Sequence, residues 1–341
     1  MLRGITLIAV ILFLYPCLWA QEKIGKYFND YYDYAGEITP EKDILIGDIT
    51  FIDFYGGKIL IADQFGKNVY LLDSKGNLLK KLNPDECHPG VKWLPYRAYF
   101  NKKGDILVMN NYPPWGFRFN NEGKCIGPVS STFVGAFNFT FRNDNSIICY
   151  NQSNKNNRNS LIMMDEKGKE LKEFGIFPDE YKNIISRRMA GGLIVDDKDN
   201  LYQLNVSSYE ITKYDKNLNY VKTLKCRPDK YVPPPRDYTA SNNMEEIMRD
   251  SKHFREFTSP ERLYLLDKNV IAVEYWTKGI LELTLCDLEG NRLNKNPINY
   301  EKIKSLNAKN GYLYFVQQPK PEKGGDYPNP IIKIYKYKKA K

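Results

Sequence analysis

Residues 59–82 read ILIADQFGKNVYLLDSKGNLLKKL. An apolar run ends on Asp63, and a short loop, QFGKN, leads into a second apolar run that ends on Asp73. The turn Ser74-Lys75-Gly76 then opens a third, weaker strand-like run. Runs of four to six residues rich in branched and aromatic side chains, divided by Gly, Asn and Asp, are the pattern of an antiparallel meander.

The same unit recurs along the chain, and a repeat outweighs any local feature as a guide to architecture. The turn DSKG (73–76) returns as NNEG (120–123), DEKG (165–168), DKNL (215–218) and DLEG (287–290). Gly at the end of such a turn relieves the positive φ that a tight reversal demands. Another turn opens each of six units, five of them upstream of those turns: YGGK (55–58), NKKGD (101–105), RNDNS (142–146), DDKDN (196–200), LDKN (266–269) and AKNG (308–311). A second strand follows each of these: ILIAD, ILVMN, IICYN, LYQLN, VIAVE and LYFVQ. Six four-stranded meanders with a period of roughly 45 residues predict an all-β fold, a six-bladed β-propeller. One meander cannot cover both of its faces, so neighbours must pack in a ring. The chain reaches only the third strand of its sixth unit, PIIKIYKY (330–337). The expectation is that a segment within 31–46 supplies the missing outer strand and closes the last blade, which also removes an open sheet edge. The alternative is an open two-domain β protein.

The pattern G-x-ILIAD-x5-VYLLD-xx-G-x-LL resembles the NHL-type repeat and its relatives among secreted six-bladed propellers, over about residues 31–338. That resemblance implies the fold; propellers of this shape bind, scaffold, hydrolyse or eliminate.

The first twenty residues, MLRGITLIAVILFLYPCLWA, hold one Arg, an apolar stretch from Ile5 to Tyr15, and Ala20. This is the layout of a signal peptide over 1–20, with the propeller over 21–341 and a secreted or periplasmic location. The apolar run is short for a membrane span; the alternative is an uncleaved anchor. Tyr15 and Pro16 before Cys17 speak against lipidation. Beyond this leader, no stretch is long enough to cross a bilayer. Five cysteines follow, Cys87, Cys125, Cys149, Cys226 and Cys286, with neither CxxC nor zinc spacing. An odd number cannot all pair within one chain, and Cys125, Cys149 and Cys286 lie in apolar strand patterns that suit buried free thiols.

With 50 Lys and Arg against 41 Asp and Glu, the chain carries a formal charge of +9. The basic residues are interspersed with acids, which fits a soluble surface as well as an anionic partner. The C-terminal KIYKYKKAK (333–341) interleaves Lys with Tyr, but Ile334 makes it a strand with one wet face. Export and that alternation argue against nucleic acid.

Long connections fall between blades and between second and third strands: NPDECHPG (83–90), FPDEYKNIISRRM (177–189), QPKPEKGGDYPNP (318–330), and the largest, 227–260. In a propeller these gather on one face, the expected ligand side. In the largest, RPDKYVPPPRDY is stiffened by three prolines. NNMEEIMRDSKHFREF (242–257) reads as a helix with a capping box from Asn242 to Glu245. Met244, Ile247, Met248, Ser251, Phe254 and Phe257 form its apolar stripe, which either docks on the blades or acts as a lid.

The second strands finish on Asp63, Asn110, Asn151, Asn205, Glu274 and Gln317. They are expected to ring one mouth of the channel, beside aromatic walls such as Tyr112, Trp115 and Trp276. The partner such a face suits is a protein, peptide or glycan. The resemblance extends to gluconolactonase and regucalcin-type propellers, whose divalent metal implies Asp63, Asn151, Asn205 and Glu274 as calcium ligands, an oxygen donor set. The plainer role for the same residues is capping strand ends by local backbone bonds. A zinc site built on three histidines is not available, because the chain has only His88 and His253. No G-x-S-x-G, HExxH or Walker loop appears. Three functions therefore stay open: a binding module, a calcium-dependent lactonase-like hydrolase, and a scaffold.

Overall fold

The computed structural model describes residues 23–129, 138–150, 159–176, 191–205, 210–228, 231–232, 258–277, 280–301, 304–317, 319 and 328–339. The leader, the helical insertion 242–257, the link 177–189, Asn151 and most of 318–330 lie outside the described residues.

The chain is a six-bladed β-propeller of antiparallel blades. Blade one comprises Ile49–Tyr55, Lys58–Asp63, Asn68–Asp73 and Leu78–Lys81, paired in that order from the axis outward. Blade two runs Pro95–Phe100, Ile106–Asn110, Gly116–Phe119 and Cys125–Pro128. Blade three runs Phe139–Phe141, Ile147–Tyr150, Asn159–Met164 and Glu170–Ile176, and blade four Gly192–Val195, Leu201–Leu204, Ile211–Tyr214 and Tyr220–Leu224. Blade five begins at Thr258–Asp267, so residues 258–260 belong to its inner strand rather than to the insertion, and continues Val270–Thr277, Ile280–Asp287 and Ile298–Glu301. Blade six has Lys304–Lys309, Tyr312–Gln317 and Ile331–Tyr337, and its outer strand is Tyr32–Ile38.

The closing strand falls inside the stretch expected to supply it. Tyr32 lies opposite Tyr337, and Ile38 opposite Ile332. Just ahead, a single helical turn, Phe28–Tyr31, drops the fully buried Phe28 between blades five and six. Its ring centroid is 5.1 Å from that of Tyr335 and 5.8 Å from that of Phe315. The N-terminus goes one step further than the repeat predicted: Lys23–Ile24 adds a fifth strand to blade five, with Ile24 opposite Tyr300. One short segment thus binds two adjacent blades.

Six apolar clusters fill the six gaps between blades, from Ile52, Ile61 and Ile332 between six and one to Leu283, Phe315 and Tyr335 between five and six. Because each blade is covered on both faces, its middle strands read as unbroken apolar runs. Leu60, Ile61, Val69 and Leu72 of blade one are at most 2% exposed, and each contributes roughly 1.5–3 kcal/mol by burial. The outer strand Leu78–Lys81 has one open face, hence its weaker signal. The recurring turns work as local clamps: the Asp73 carboxylate accepts the N–H groups of Lys75 and Asn77 at 2.8 and 2.9 Å. Asp165, Asp215 and Asp287 repeat this geometry. Hydrogen bonds, first that from the Asn77 side chain, hold the Asp73 carboxyl below its ordinary range. Gly76 adopts φ +95°, and in the degenerate fourth repeat Leu218 takes the same left-handed region at +66°.

The expectation of free thiols at Cys125 and Cys286 is overturned. Cys87 pairs with Cys125 and Cys226 with Cys286; only Cys149 is free and buried among the described residues. The partners Cys87 and Cys226 lie in the links before and after a strand rather than within one, so spacing does not reveal the pairs. Burial, with the charge of Glu170, pushes the Cys149 thiol up to about 12. Among the described residues no helix is long and apolar enough to cross a membrane.

Candidate functional site

Of the six residues expected at strand ends, the five that the structure describes, Asp63, Asn110, Asn205, Glu274 and Gln317, do not share one task. Asp63 is fully buried, and its carboxylate accepts three backbone N–H groups, from Gly47, Asp48 and Gly66, at 2.9–3.0 Å. Asn110 accepts from the Leu94 N–H at 2.7 Å and donates to the carbonyls of Lys92 and Tyr112. Both side chains pin the connection that enters their own blade. Asn205 donates to the Thr212 hydroxyl at 2.9 Å across its blade, and Gln317 is half-buried at its strand end.

Glu274 does not end its strand: the strand continues to Thr277, because the inner and second strands of blade five are the longest of their kind in the ring, 10 and 8 residues. Its carboxylate is 2% exposed, and it accepts from the Tyr264 and Tyr300 hydroxyls with the Arg262 guanidinium 3.9 Å away. Ala272 and Trp276, on the same side of the strand, face the core between blades five and six. Asp63 lies on the side of its strand that carries Ile59 and Ile61, toward the gap between blades six and one. The two carboxylates thus belong to different gaps. Among the described residues no three His, Cys, Asp or Glu side chains are grouped to hold a metal ion.

Trp276 is half-buried against the core between blades five and six, and Trp115 is half-buried in the loop whose carbonyl accepts the Asn110 N–H. Tyr112 lies under Lys92, the ammonium 3.6 Å from its ring centroid. None of the three lines the axial cavity.

That cavity is the central channel, about 500 Å³, walled by the inner strands of all six blades. On blades one to three the wall is aromatic: Phe51 to Tyr99 is 4.3 Å between centroids, and Tyr99 to Phe139 is 4.2 Å. Arg97 stands in this arc, donating to Asn138 Oδ1 at 2.7 Å and the Tyr99 hydroxyl at 3.3 Å. Its guanidinium carbon is 5.9 Å from the Phe51 ring centroid. Arg262, on blade five, stands on the far side of the ring. Burial works against its charge, but Tyr264, Glu274 and Glu261 outweigh burial and hold its pKa above the ordinary value.

Further down the wall Asp53, 5% exposed, joins three blades. It accepts the Phe54 N–H of its own strand at 2.8 Å, the Phe100 N–H of blade two at 2.9 Å, and the Lys309 ammonium of blade six at 2.8 Å. Asp53→Ala is expected to cost about 2 kcal/mol, chiefly because it strands the buried Phe100 N–H. Lys309→Met is expected to cost clearly less, because the Lys309 side chain is 35% exposed and Asp53 keeps its two amides. Urea unfolding of the two variants measures both, and equal losses would refute the ordering.

The channel residues did not emerge from the repeat reading, which followed second-strand ends. A signal was present: Asp53, Arg97, Arg262 and Lys309 are charged residues inside first strands, where an apolar run would otherwise be expected. They are tolerated because one edge of each first strand meets the wet axis.

No family model and no curated protein matches the chain. Solved structures do match over nearly its whole length. One is a member of the DUF4221 family from Bacteroides vulgatus, 13% identical, with a TM-score of 0.64 over 91% of this chain and 98% of that one. An exported protein from Bacteroides fragilis is 11% identical, with a TM-score of 0.59 over 90% and 95%. A streptogramin B lyase is 12% identical, with a TM-score of 0.50 over 91% and 99%. At such identities the likeness is one of fold, and the chain shares its propeller architecture with all three.

Proposed function

We propose that this is an extracytoplasmic binding propeller of the NHL-repeat kind, taking a peptide, protein or glycan ligand on the face that carries its long connections. One observation carries the reading: the inner strands leave a lined cavity of about 500 Å³ with charged and aromatic side chains, a size in the range of small-ligand sites. Two disulfides suit an oxidising compartment, as does the export named for the Bacteroides fragilis neighbour.

The rival function is a calcium-dependent lactonase-like hydrolase on Asp63, Asn151, Asn205 and Glu274. The commitment of Asp63 to three N–H groups and of Glu274 to two phenols favours binding over this chemistry.

A thermal-shift screen of the mature chain against short peptides, oligosaccharides, small organic anions and calcium separates these. Thr140, half-buried on the inner strand of blade three, lines the channel. Thr140→Trp fills it with an indole and is expected to abolish the response to the organic probe that stabilises the parent. A response that survives Thr140→Trp puts the ligand outside the channel and refutes the reading. A calcium shift that Glu274→Gln removes, together with lactone turnover, would favour the rival.

A further inference from the structure

We propose that a cleft between blades six and one is a second ligand site, and that it takes a single uncharged ring bearing an oxygen acceptor. The site goes beyond the channel reading and does not depend on it. The cleft measures about 220 Å³ and lies at the end of the ring that carries the first turns, where Tyr55, Gly56 and Asn310 border both it and the channel. Its apolar wall is Ile59 of blade one, Ile334 of blade six and Ile38 of the closing strand, so the site is complete only when the N-terminal segment is in place. At the hairpin tip Gly56 and Gly57 present bare backbone, and a Cβ on either would meet nothing within 4 Å. An engineered apolar cavity of roughly 150 Å³ already admits benzene, so the cleft has room for one ring and a small substituent.

What selects the guest is the set of polar groups on this wall. Tyr314 is 8% exposed and stacks on Phe54 with ring centroids 4.0 Å apart, which fixes its ring. Its hydroxyl makes no hydrogen bond within the described residues, and neither does the side chain of Ser74 or Asn310. A phenol buried without a partner is costly, and a guest oxygen that accepts from it restores the missing bond. An apolar pocket with a few such polar groups is the usual make-up of a small-molecule site. The nearby charges are engaged elsewhere: the Lys58 ammonium donates to the Asn121 carbonyl at 2.6 Å, and Lys309 pairs with Asp53 at 2.8 Å. Burial, then Tyr312 and Asp53, push the Tyr314 phenol up to about 12, so it remains a donor through the neutral range. The Asp53 charge that contributes to this shift also disfavours a carboxylate guest.

Titration of the mature full chain, followed through the amide resonances of Gly56 and Gly57, tests the assignment with benzamide, toluene and benzoate. Benzamide supplies a ring and a carbonyl; toluene lacks the acceptor, and benzoate adds a charge. Benzamide is expected to bind about five-fold more tightly than toluene, the factor expected for one neutral hydrogen bond, and more tightly than benzoate. Tyr314→Phe should remove the preference over toluene while leaving the melting temperature unchanged or raised, because the hydroxyl supports nothing in the unliganded protein. Ile334→Trp fills the cleft and should abolish the response to all three, whereas Thr140→Trp, in the channel, should leave it intact.

Equal affinity for benzamide and toluene overturns the proposal, as does a preference that survives Tyr314→Phe, or no shift of Gly56 and Gly57 with any probe. Benzamide binding lost in Thr140→Trp but kept in Ile334→Trp places the guest in the channel, which overturns the cleft and leaves the channel reading standing. Tighter binding of benzoate than of benzamide overturns the uncharged class. Should Ile334→Trp fail to fold, Tyr314→Phe decides the assignment by itself, since it removes a single oxygen that has no partner to lose.

Discussion

A chain beginning at Thr39 loses its single cooperative unfolding transition. The deleted segment contributes the outer strand of blade six, Tyr32–Ile38, the fifth strand of blade five, Lys23–Ile24, and the helical turn between them. Phe28 and Tyr32 go with it, at 0% and 1% exposure, both members of the core between blades five and six. Without them the strand Ile331–Tyr337 becomes an open edge, a template for aggregation. Point variants separate packing from pairing. Phe28→Ala should cost about 3–5 kcal/mol, the range for emptying a buried aromatic site. Tyr32→Phe should cost nothing and even stabilise, because the buried Tyr32 hydroxyl has no hydrogen-bond partner among the described residues. Urea denaturation followed by tryptophan fluorescence measures all three. A truncated chain that keeps the parental midpoint and slope would show that the ring does not depend on its N-terminal strap.

The second large effect belongs to the Cys226–Cys286 bridge. Cys226 follows the outer strand of blade four, and Cys286 lies in the third strand of blade five, so the bond joins neighbouring blades across 60 residues that include the large insertion. Closing a loop of that length removes about 4 kcal/mol of unfolded-chain entropy in the simplest chain model. The double variant Cys226→Ala/Cys286→Ala is expected to lose a comparable amount, a fall of roughly 6 °C in melting temperature for a chain of this size. Reducing the parent should reproduce most of the loss, whereas the double variant should not respond further through this bond. Calorimetry with and without reductant reads both. Identical midpoints for oxidised parent and double variant would mean that the bridge contributes nothing.

Much of the architecture was legible in particular residues. The Asp73–Gly76 turn and its copies work through an acceptor side chain clamping N–H groups two and four residues ahead, a contact confined to five residues. The same holds for the alternation of runs and turns that divides Ile59 from Leu72. The closing strand could be placed because PIIKIYKY is the third strand of its unit, and the units before it each carry a fourth. Lys23–Ile24 escaped notice, since a two-residue strand has no periodicity to detect. VIAVE mimics ILIAD and so suggests a strand end at Glu274, yet the strand continues through YWT.

The candidate site was less accessible for a related reason. Rim residues such as Asp63 and Asn110 were correctly seen as recurrent, but recurrence reflects a shared structural need, and both cap local backbone. The pair Arg97-x-Tyr99 recurs in one other blade, as Arg262-x-Tyr264, and not in the rest, so comparison of repeats passes over it. What marks it is the company it keeps across blades, and that company exists only once the ring closes.

The sequence by itself determined the blade, its count and its need for an N-terminal partner, because these follow from turn chemistry, apolar runs and edge pairing within some 45 residues. Which cysteines meet, which blade takes a fifth strand and which side chains share the axis emerge from the folded ring alone. Those depend on residues that lie tens to hundreds of positions apart, and such neighbours are set by how blades pack against one another rather than by any pattern along the chain.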